Sequence, residues 1–288
     1  MKNLAPPQLD ANKVYQDIRS RSRNEEKKTR LENLEGYVFD RYIQYQSNVQ
    51  YLENISGSSI VDDKDKKALE SCYNRNAKGY LEGEVVAKII KIQSVQHKNR
   101  CPYCGIDKPR TIDHYLPKSF FPEFSIYPPN LIPCCGHCNG KKNDRWIEDD
   151  ERLFINLYYD ELPKDEKFLH TTLIFNTEEK SNLIPTITFS LSNSGNINPV
   201  LFKRIESHYE KLGLLVEYSQ IVEEEISNIY DKLICNLEIS LDLHIDNLKM
   251  EHRTIVRKYG VNHWKASFLD GLINCPIFFE RIYEVHGQ

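Results

Sequence analysis

The chain has 288 residues, of which 40% are apolar and 28% are charged, and it contains 12 Gly and 13 Pro. This composition excludes wholesale disorder and leaves enough apolar side chains for at least one substantial core. No run approaches the roughly 18 consecutive apolar residues of a membrane span, and the N-terminal segment lacks the apolar centre of a signal peptide. We therefore expect a cytoplasmic protein of one or two domains, without a membrane-spanning segment.

The charge is distributed unevenly along the chain. Residues 1–146 contain 24 Lys and Arg against 18 Asp and Glu, a balance of +6, whereas residues 147–288 contain 14 against 24, a balance of −10. Because phosphates are attracted to positive surfaces, a nucleic-acid-binding surface is expected in the first half. The alternative is that these charges only form solvated faces. The acidic second half is better suited to a protein partner or to a second copy of the chain.

Apolar residues recur at helical spacing in residues 31–52, and again in residues 81–95 and 222–237. A tract rich in Ser and Asp, residues 56–65, predicts a loop between the first two helical stretches. Three runs between the second and third stretches have the composition of β-strands: Leu153–Tyr159, Phe168–Phe175 and Thr186–Leu191. The sequence from Pro199 onward predicts several packed helices.

Cysteines cluster in the middle of the chain. Five of the eight lie within 38 residues, and they include two C-x-x-C pairs, Cys101 with Cys104 and Cys135 with Cys138. Clustering of this kind favours a metal site over disulfides in a chain without a secretory leader. Two thiolates on one tight turn both reach an ion at about 2.3 Å, and two such turns complete a tetrahedron, so we predict a structural Zn²⁺.

Two neighbours leave alternatives for the metal ligands. Cys134 is an alternative fourth ligand, although its spacing to Cys138 is less suitable than that of Cys135. His137, between the last two cysteines, is expected to face solvent, with replacement of a cysteine ligand as the alternative.

Polar residues whose side chains could bind a metal or transfer a proton lie around the cysteine pairs. Asp113 and His114 follow a short strand-like run, Asn130 precedes an apolar pair, and Asn139 follows the last cysteine directly. Asp and Asn provide the oxygen ligands that Mg²⁺ or Mn²⁺ prefers. The unperturbed pKa of an imidazole suits proton abstraction near neutral pH. Two metals with different tasks are therefore indicated.

At these positions the sequence resembles the HNH endonuclease family, whose ββα-metal fold is held by two C-x-x-C zinc pairs. The matching stretches are Asp113-His114, Asn130-Leu131, Cys135-Gly136-His137-Cys138-Asn139 and Lys142, and the resemblance covers residues 101–142 and little beyond them. The last position is often His in that family, and Asn139 keeps an oxygen ligand there.

The resemblance implies a phosphodiester hydrolase that acts on DNA, and an RNA substrate is equally compatible with the chemistry. His114 would be the general base, Asp113 and Asn139 would bind the catalytic divalent ion, and Asn130 would brace the loop that orients His114. A phosphate would be held by a basic group at the end of the motif: Lys141, Lys142 and Arg145. Chains of this arrangement resemble HNH components of bacterial antiphage systems, such as Septu-type pairs in which an ATPase partner controls the nuclease.

Together these features predict a mainly α fold of the α+β class, with a small ββα-metal centre and a minor β element. We expect a basic N-terminal helical region (1–98), the HNH core with structural zinc (99–150), a short β-rich connection (151–195) and an acidic C-terminal helical region (196–288). A second hypothesis is a non-catalytic zinc-held module that binds nucleic acid or protein. In that case Asp113 and His114 would be replaceable without loss of cellular activity.

Overall fold

The computed structural model describes residues 2–74, 79–176 and 183–286. The chain divides into two compact units, of which the first is Asn3–Leu162 and the second begins at Pro163 and includes Lys2. Helices predominate and the strands form small antiparallel pairs, so the predicted mainly α, α+β class is confirmed. The predicted limits at residues 98 and 150 fall inside the first unit, the limit at 195 falls inside the second, and the four-part division stays a prediction.

The first unit contains one long helix and several shorter helices around two small antiparallel strand pairs. Its elements are α1 (Ala11–Ser20), α2 (Glu25–Ser47), α3 (Asp63–Glu70), α4 (Ala87–Lys91), α5 (Val95–Asn99), β1 (Thr111–His114), β2 (Leu131–Cys134), α6 (Gly136–Lys142), β3 (Ile147–Glu148) and β4 (Glu151–Arg152). A π-helical segment, Leu81–Val86, continues into α4. The predicted loop over residues 56–65 ends earlier than expected, because the Asp62 side chain accepts from the Lys64 amide and starts α3.

The long helix α2 packs against the segment that connects β1 to β2. Tyr42 stacks on Tyr127 with ring centroids 4.3 Å apart, and Tyr45 meets the Phe124 ring edge-on at 5.1 Å. Beside these rings, Arg41 of α2 donates from Nε to Glu123 at 2.7 Å, and both side chains are buried. The N-terminal helices thus cover the connecting segment. Two basic side chains of the positively charged first half, Arg19 and Arg30, are ion-paired with acidic neighbours.

Strands β1 and β2 form an antiparallel pair, and α6 follows β2 directly. Asp113 pairs with Ile132 and His114 with Leu131. Cys135 separates β2 from α6, and its sulfur accepts from the Cys138 amide at 3.4 Å as the cap of the helix. This strand–strand–helix arrangement places the end of β1 beside the first turns of α6.

The prediction of a strand over Leu153–Tyr159 is wrong. The two-residue strand β4 ends at Arg152, and residues 153–159 continue as bends and turns. Asn156 accepts from the Tyr158 amide through its side chain at 3.1 Å, and Asp160 accepts from the Asn156 amide at 2.7 Å. Because these side chains bind the backbone locally, the segment adopts turns in place of a strand ladder.

The second unit combines one hairpin with a group of helices. The predicted strands near residues 168–175 and 186–191 are confirmed as β5 (Leu169–Ile174) and β6 (Thr186–Leu191), which pair antiparallel. The helices are α7 (Pro199–Leu212), α8 (Leu214–Ile234), α9 (Leu241–Tyr259), α10 (Trp264–Ile273) and α11 (Pro276–His286). The predicted stripe on α8 is buried at Val222, Ile226, Ile229 and Leu233. None of the helices in the described ranges combines the length and apolarity that a bilayer crossing requires.

Helix α10 approaches β5 closely at Gly271, and this contact yields a testable prediction. A Cβ at Gly271 would lie 3.1 Å from the Thr171 Cβ and 3.2 Å from the Thr171 carbonyl oxygen. Gly271→Ala is therefore expected to lower the free energy of unfolding by about 1–3 kcal/mol, the usual effect of overpacking. Gly36 of α2 has no atom within 4 Å of such a Cβ, and Gly36→Ala is expected to be neutral or stabilising by up to about 1 kcal/mol. Urea denaturation of both variants measures the difference, and equal stabilities would contradict the prediction.

Candidate active site and metal centre

Four cysteines converge next to the ββα element. The sulfurs of Cys101, Cys104, Cys135 and Cys138 all lie within 4.8 Å of one another, and all four residues are buried. The Cys104 and Cys135 sulfurs are 3.9 Å apart. An ion about 2.3 Å from each of four tetrahedral sulfurs holds them about 3.8 Å apart. The donor set and its dimensions therefore fit a structural metal such as zinc.

The local backbone supports thiolates at this cluster. Amides donate to three of the sulfurs, from Ile106 to Cys104, from Cys135 to Cys101 and from Cys138 to Cys135. Gly105 has a positive φ of 72°, which closes the first turn. Burial raises the pKa of the Cys101 thiol, so full ionisation of the group depends on a neutralising cation.

The two alternative ligands lie outside this group. Cys134 is buried on β2 and its sulfur lies 3.4 Å from the Thr111 hydroxyl, whereas Cys135 contributes to the four-sulfur cluster. His137 is exposed on α6 and does not belong to the cluster.

Asp113 is buried at the end of β1 and binds two side chains. The Tyr103 hydroxyl donates to Oδ2 at 2.8 Å, and the Lys142 ammonium donates to Oδ1 at 3.0 Å. Burial raises the pKa of Tyr103 well above its usual value, so its hydroxyl remains a donor. Lys142 is fully buried and also donates to the His114 carbonyl at 2.9 Å. Its ammonium neutralises Asp113 and fixes the backbone of His114.

His114 is half-buried and its imidazole is held in one orientation. Nε2 lies 2.8 Å from the Ser125 carbonyl oxygen. Because a carbonyl can only accept, Nε2 carries the proton and Nδ1 is the basic nitrogen. The Tyr73 ring meets the imidazole edge-on, with centroids 4.3 Å apart. Burial lowers the pKa of His114 to about 4, so the ring is neutral near pH 7.

Asn130 ties together the two ends of the segment between β1 and β2. Its Oδ1 accepts from the Leu116 amide at 2.8 Å, and its Nδ2 donates to the carbonyls of Leu116 and Phe124 at 2.9 and 3.3 Å. Phe124 precedes Ser125, whose carbonyl holds His114. The buried amide thereby fixes the loop that orients the imidazole.

A cleft of about 470 Å³ brings the predicted oxygen and nitrogen groups together. Its lining includes Asp113, His114 and Asn139. The side-chain Nδ2 of Asn139 donates to the Ile112 carbonyl at 3.4 Å. Lys141 and Arg145 are solvent-accessible on and just beyond α6, and Arg145 donates to the Lys141 carbonyl.

Four further charged, amide or aromatic cleft residues were not singled out from the sequence: Tyr73, Lys118, Asn143 and Asp144. Asn143 and Asp144 line the cleft just beyond α6, where Asn143 has a positive φ of 47°. Their proximity to Lys142 and their oxygen-bearing side chains were the available signals. Tyr73 reaches the cleft from the segment after α3, and no local pattern linked it to His114.

Two known proteins are similar to parts of this chain. Protein ea31 of Escherichia phage lambda is 33% identical over 103 residues, which are 35% of this chain and 34% of ea31. Septu protein PtuB of Bacillus thuringiensis is 29% identical over 92 residues, which are 30% of this chain and 34% of PtuB. The chain thus spans about a third of the length of each relative. No family model matches the sequence, and no solved structure matches it significantly.

Proposed function

We propose that this chain is a metal-dependent HNH-type endonuclease that hydrolyses phosphodiester bonds in DNA. The observation that carries the proposal is the meeting of His114, Asp113 and Asn139 in one cleft on the ββα element, beside four clustered cysteine sulfurs. RNA contains the same phosphodiester group, so the chemistry extends to it.

In the proposed mechanism His114 is the general base. Its Nε2 is bonded to the Ser125 carbonyl, which leaves Nδ1 to take a proton from water in line with the scissile bond. The imidazole is neutral near pH 7, because burial lowers its pKa. A positioned base typically contributes about 10²–10⁴-fold to the rate.

The proposed divalent ion, Mg²⁺ or Mn²⁺, would be held by Asp113 and Asn139. Each Asp113 oxygen accepts one hydrogen bond in the structure and keeps a second lone pair. The side-chain Nδ2 of Asn139 donates to the Ile112 carbonyl, and the side-chain Oδ1 is the atom that could coordinate the ion. When bound, such an ion stabilises negative charge on the pentacovalent transition state and on the leaving oxygen.

Basic residues near α6 would hold the substrate phosphate. We assign this task to Lys141 and Arg145, because the Lys142 ammonium is buried against Asp113. Lys118, which lines the cleft, is a further cation in reach of it. Contacts of this kind make nucleic-acid binding weaken as salt rises.

Plasmid cleavage in Mg²⁺ or Mn²⁺ tests the proposal. His114→Ala is expected to lower the cleavage rate by about 10²–10⁴-fold, because it removes the base and leaves the sulfur cluster unchanged. His137→Ala is the matched control, since His137 is an exposed histidine of α6 that does not line the cleft. Equal cleavage by wild type and His114→Ala would exclude His114 from the mechanism.

A second candidate function is a non-catalytic zinc-held module that binds nucleic acid or protein. It is favoured by the two hydrogen bonds that already occupy the Asp113 carboxylate, as in a purely structural site. For such a module, His114→Ala keeps full biological activity, whereas the nuclease loses it.

The similarity to Septu protein PtuB supports a role in bacterial defence with a regulatory partner. We assign the partner to the ATPase class, and the acidic second half of the chain is the expected contact surface for it or for a second copy of the chain. Phage plating of bacteria that carry the wild-type gene together with the gene that neighbours it in its genome tests this role, and an ATPase encoded by that neighbour is expected. Protection that survives deletion of the neighbouring gene would contradict the partner.

A further inference from the structure

Helix α3, in the N-terminal part of the first unit, reaches the proposed base through two contacts. The Ser125 hydroxyl donates to the Leu69 carbonyl in the last turn of α3 at 2.7 Å, while the Ser125 carbonyl holds His114 Nε2 at 2.8 Å. Just beyond the helix, the Tyr73 ring meets the imidazole at an interplanar angle of 72°. One residue therefore bridges α3 to His114, and a second contacts the imidazole directly.

The two contacts restrain different motions of the imidazole. The hydrogen bond to Ser125 fixes which nitrogen carries the proton and which way the ring faces. The edge of Tyr73 limits tilting of the same ring. Ser125 is 1% exposed, so its hydroxyl has no route to a substrate.

Helix α3 is itself fixed to its surroundings. Its residues Ala68 and Leu69 are buried, and Arg30 of α2 donates to Asp62 and Asp65 at 3.0 and 2.7 Å. These residues lie more than forty positions before His114 and outside the stretches that resemble HNH nucleases. The restraint on the base thus comes from a part of the chain that the motif does not include.

We propose that Ser125 and Tyr73 are positioning residues that couple α3 to the orientation of His114. This inference rests on the proposed function, since it concerns the base of that reaction. Loss of the Ser125 hydroxyl removes the hydrogen bond between the connecting loop and α3, and loss of the Tyr73 ring removes the contact on one side of the imidazole. Misplacement of a reacting group by about 1 Å costs up to roughly a hundredfold in rate.

Steady-state cleavage of a DNA substrate tests the coupling. Ser125→Ala is expected to lower kcat by about 10- to 100-fold with KM within twofold of wild type, because the buried hydroxyl does not contact DNA. Ser71→Ala is the matched control, since the Ser71 hydroxyl donates to the Ala68 carbonyl within the same helix and not to the Ser125 loop. Tyr73→Leu is expected to lose rate similarly, and the conservative Tyr73→Phe restores most of it. Wild-type kcat in both Ser125→Ala and Tyr73→Leu would overturn the proposal.

Nitrogen NMR of ¹⁵N-histidine-labelled, zinc-loaded protein provides a readout that does not need activity. The wild type is expected to show His114 as a single Nε2–H tautomer, and both Ser125→Ala and Tyr73→Leu are expected to show exchange between tautomers. If Ser125→Ala does not fold, the tautomer of His114 is measured in Tyr73→Leu instead. If the wild type cleaves no substrate, the proposed function fails, and the NMR spectra alone decide the coupling. A single unchanged tautomer in the folded variants would refute it.

Discussion

Replacing Cys138 by serine is expected to abolish tight zinc binding and to unfold the ββα element. Cys138 is buried in the first turns of α6 and is one of only four sulfurs in the cluster found among the described residues. Structural zinc contributes an apparent 10–16 kcal/mol in zinc-finger peptides, about as much as the total stability of a typical domain. Zinc content and amide hydrogen exchange over residues 101–142 measure the two effects.

Cys134→Ser is the matched control for this experiment. Cys134 is equally buried and lies four residues away, but its sulfur does not belong to the cluster. It is expected to retain one zinc per chain, with a modest loss of stability from the buried hydroxyl. Stoichiometric zinc in Cys138→Ser, or loss of zinc in Cys134→Ser alone, would show that the ligand set is different.

Replacing Lys142 by methionine is expected to lower the free energy of unfolding by about 3–5 kcal/mol. Lys142 is 0% exposed and Asp113 is 2% exposed, so the variant leaves a carboxylate buried without its cation. Breaking one side of a buried ion pair has an effect of this size. Urea denaturation measures it. The variant is also expected to lose the proposed cleavage activity, because the contacts of Lys142 with the Asp113 carboxylate and with the His114 carbonyl are lost together.

Two companion variants separate the ion pair from general effects of lost charge. Lys88 forms a 2.9 Å pair with Glu84, and both side chains are more than half exposed. Lys88→Met is therefore expected to change stability by less than about 1 kcal/mol. The double variant Asp113→Asn with Lys142→Met removes both charges and is expected to regain part of the loss. Wild-type stability in Lys142→Met would mean that the pair does not support the fold.

Features encoded by short-range spacing could be predicted from the sequence. The C-x-x-C spacing indicated which sulfurs converge, since each pair lies on one turn. Strand-type composition indicated β5 and β6, and the helical period indicated the buried faces of α2 and α8. The strand expected at Leu153–Tyr159 was wrong because the Asn156 and Asp160 side chains bind the local backbone, a competition that composition does not reveal.

Features that depend on contacts between distant segments could not be predicted. Lys142 has the cationic side chain expected of a phosphate-binding residue. It is buried against Asp113 only because α6 packs on β1. Tyr73 lies 41 positions before His114, and no spacing rule brings the two rings together. The assignment of Nδ1 as the basic nitrogen likewise required the position of the Ser125 carbonyl.

The buried ion pair between Arg41 and Glu123 determines how much of the chain must be transferred if residues 101–142 are grafted onto another protein. A peptide that begins at Cys101 would lose the Arg41 guanidinium and leave the Glu123 carboxylate without a cation, with the Phe124 and Tyr127 rings open to water. Grafts onto a heterologous DNA-reading domain should therefore carry the chain from α2 onward. By the same reasoning, an insertion that shifts α2 along its axis is expected to be tolerated in evolution only with a compensating change at position 123.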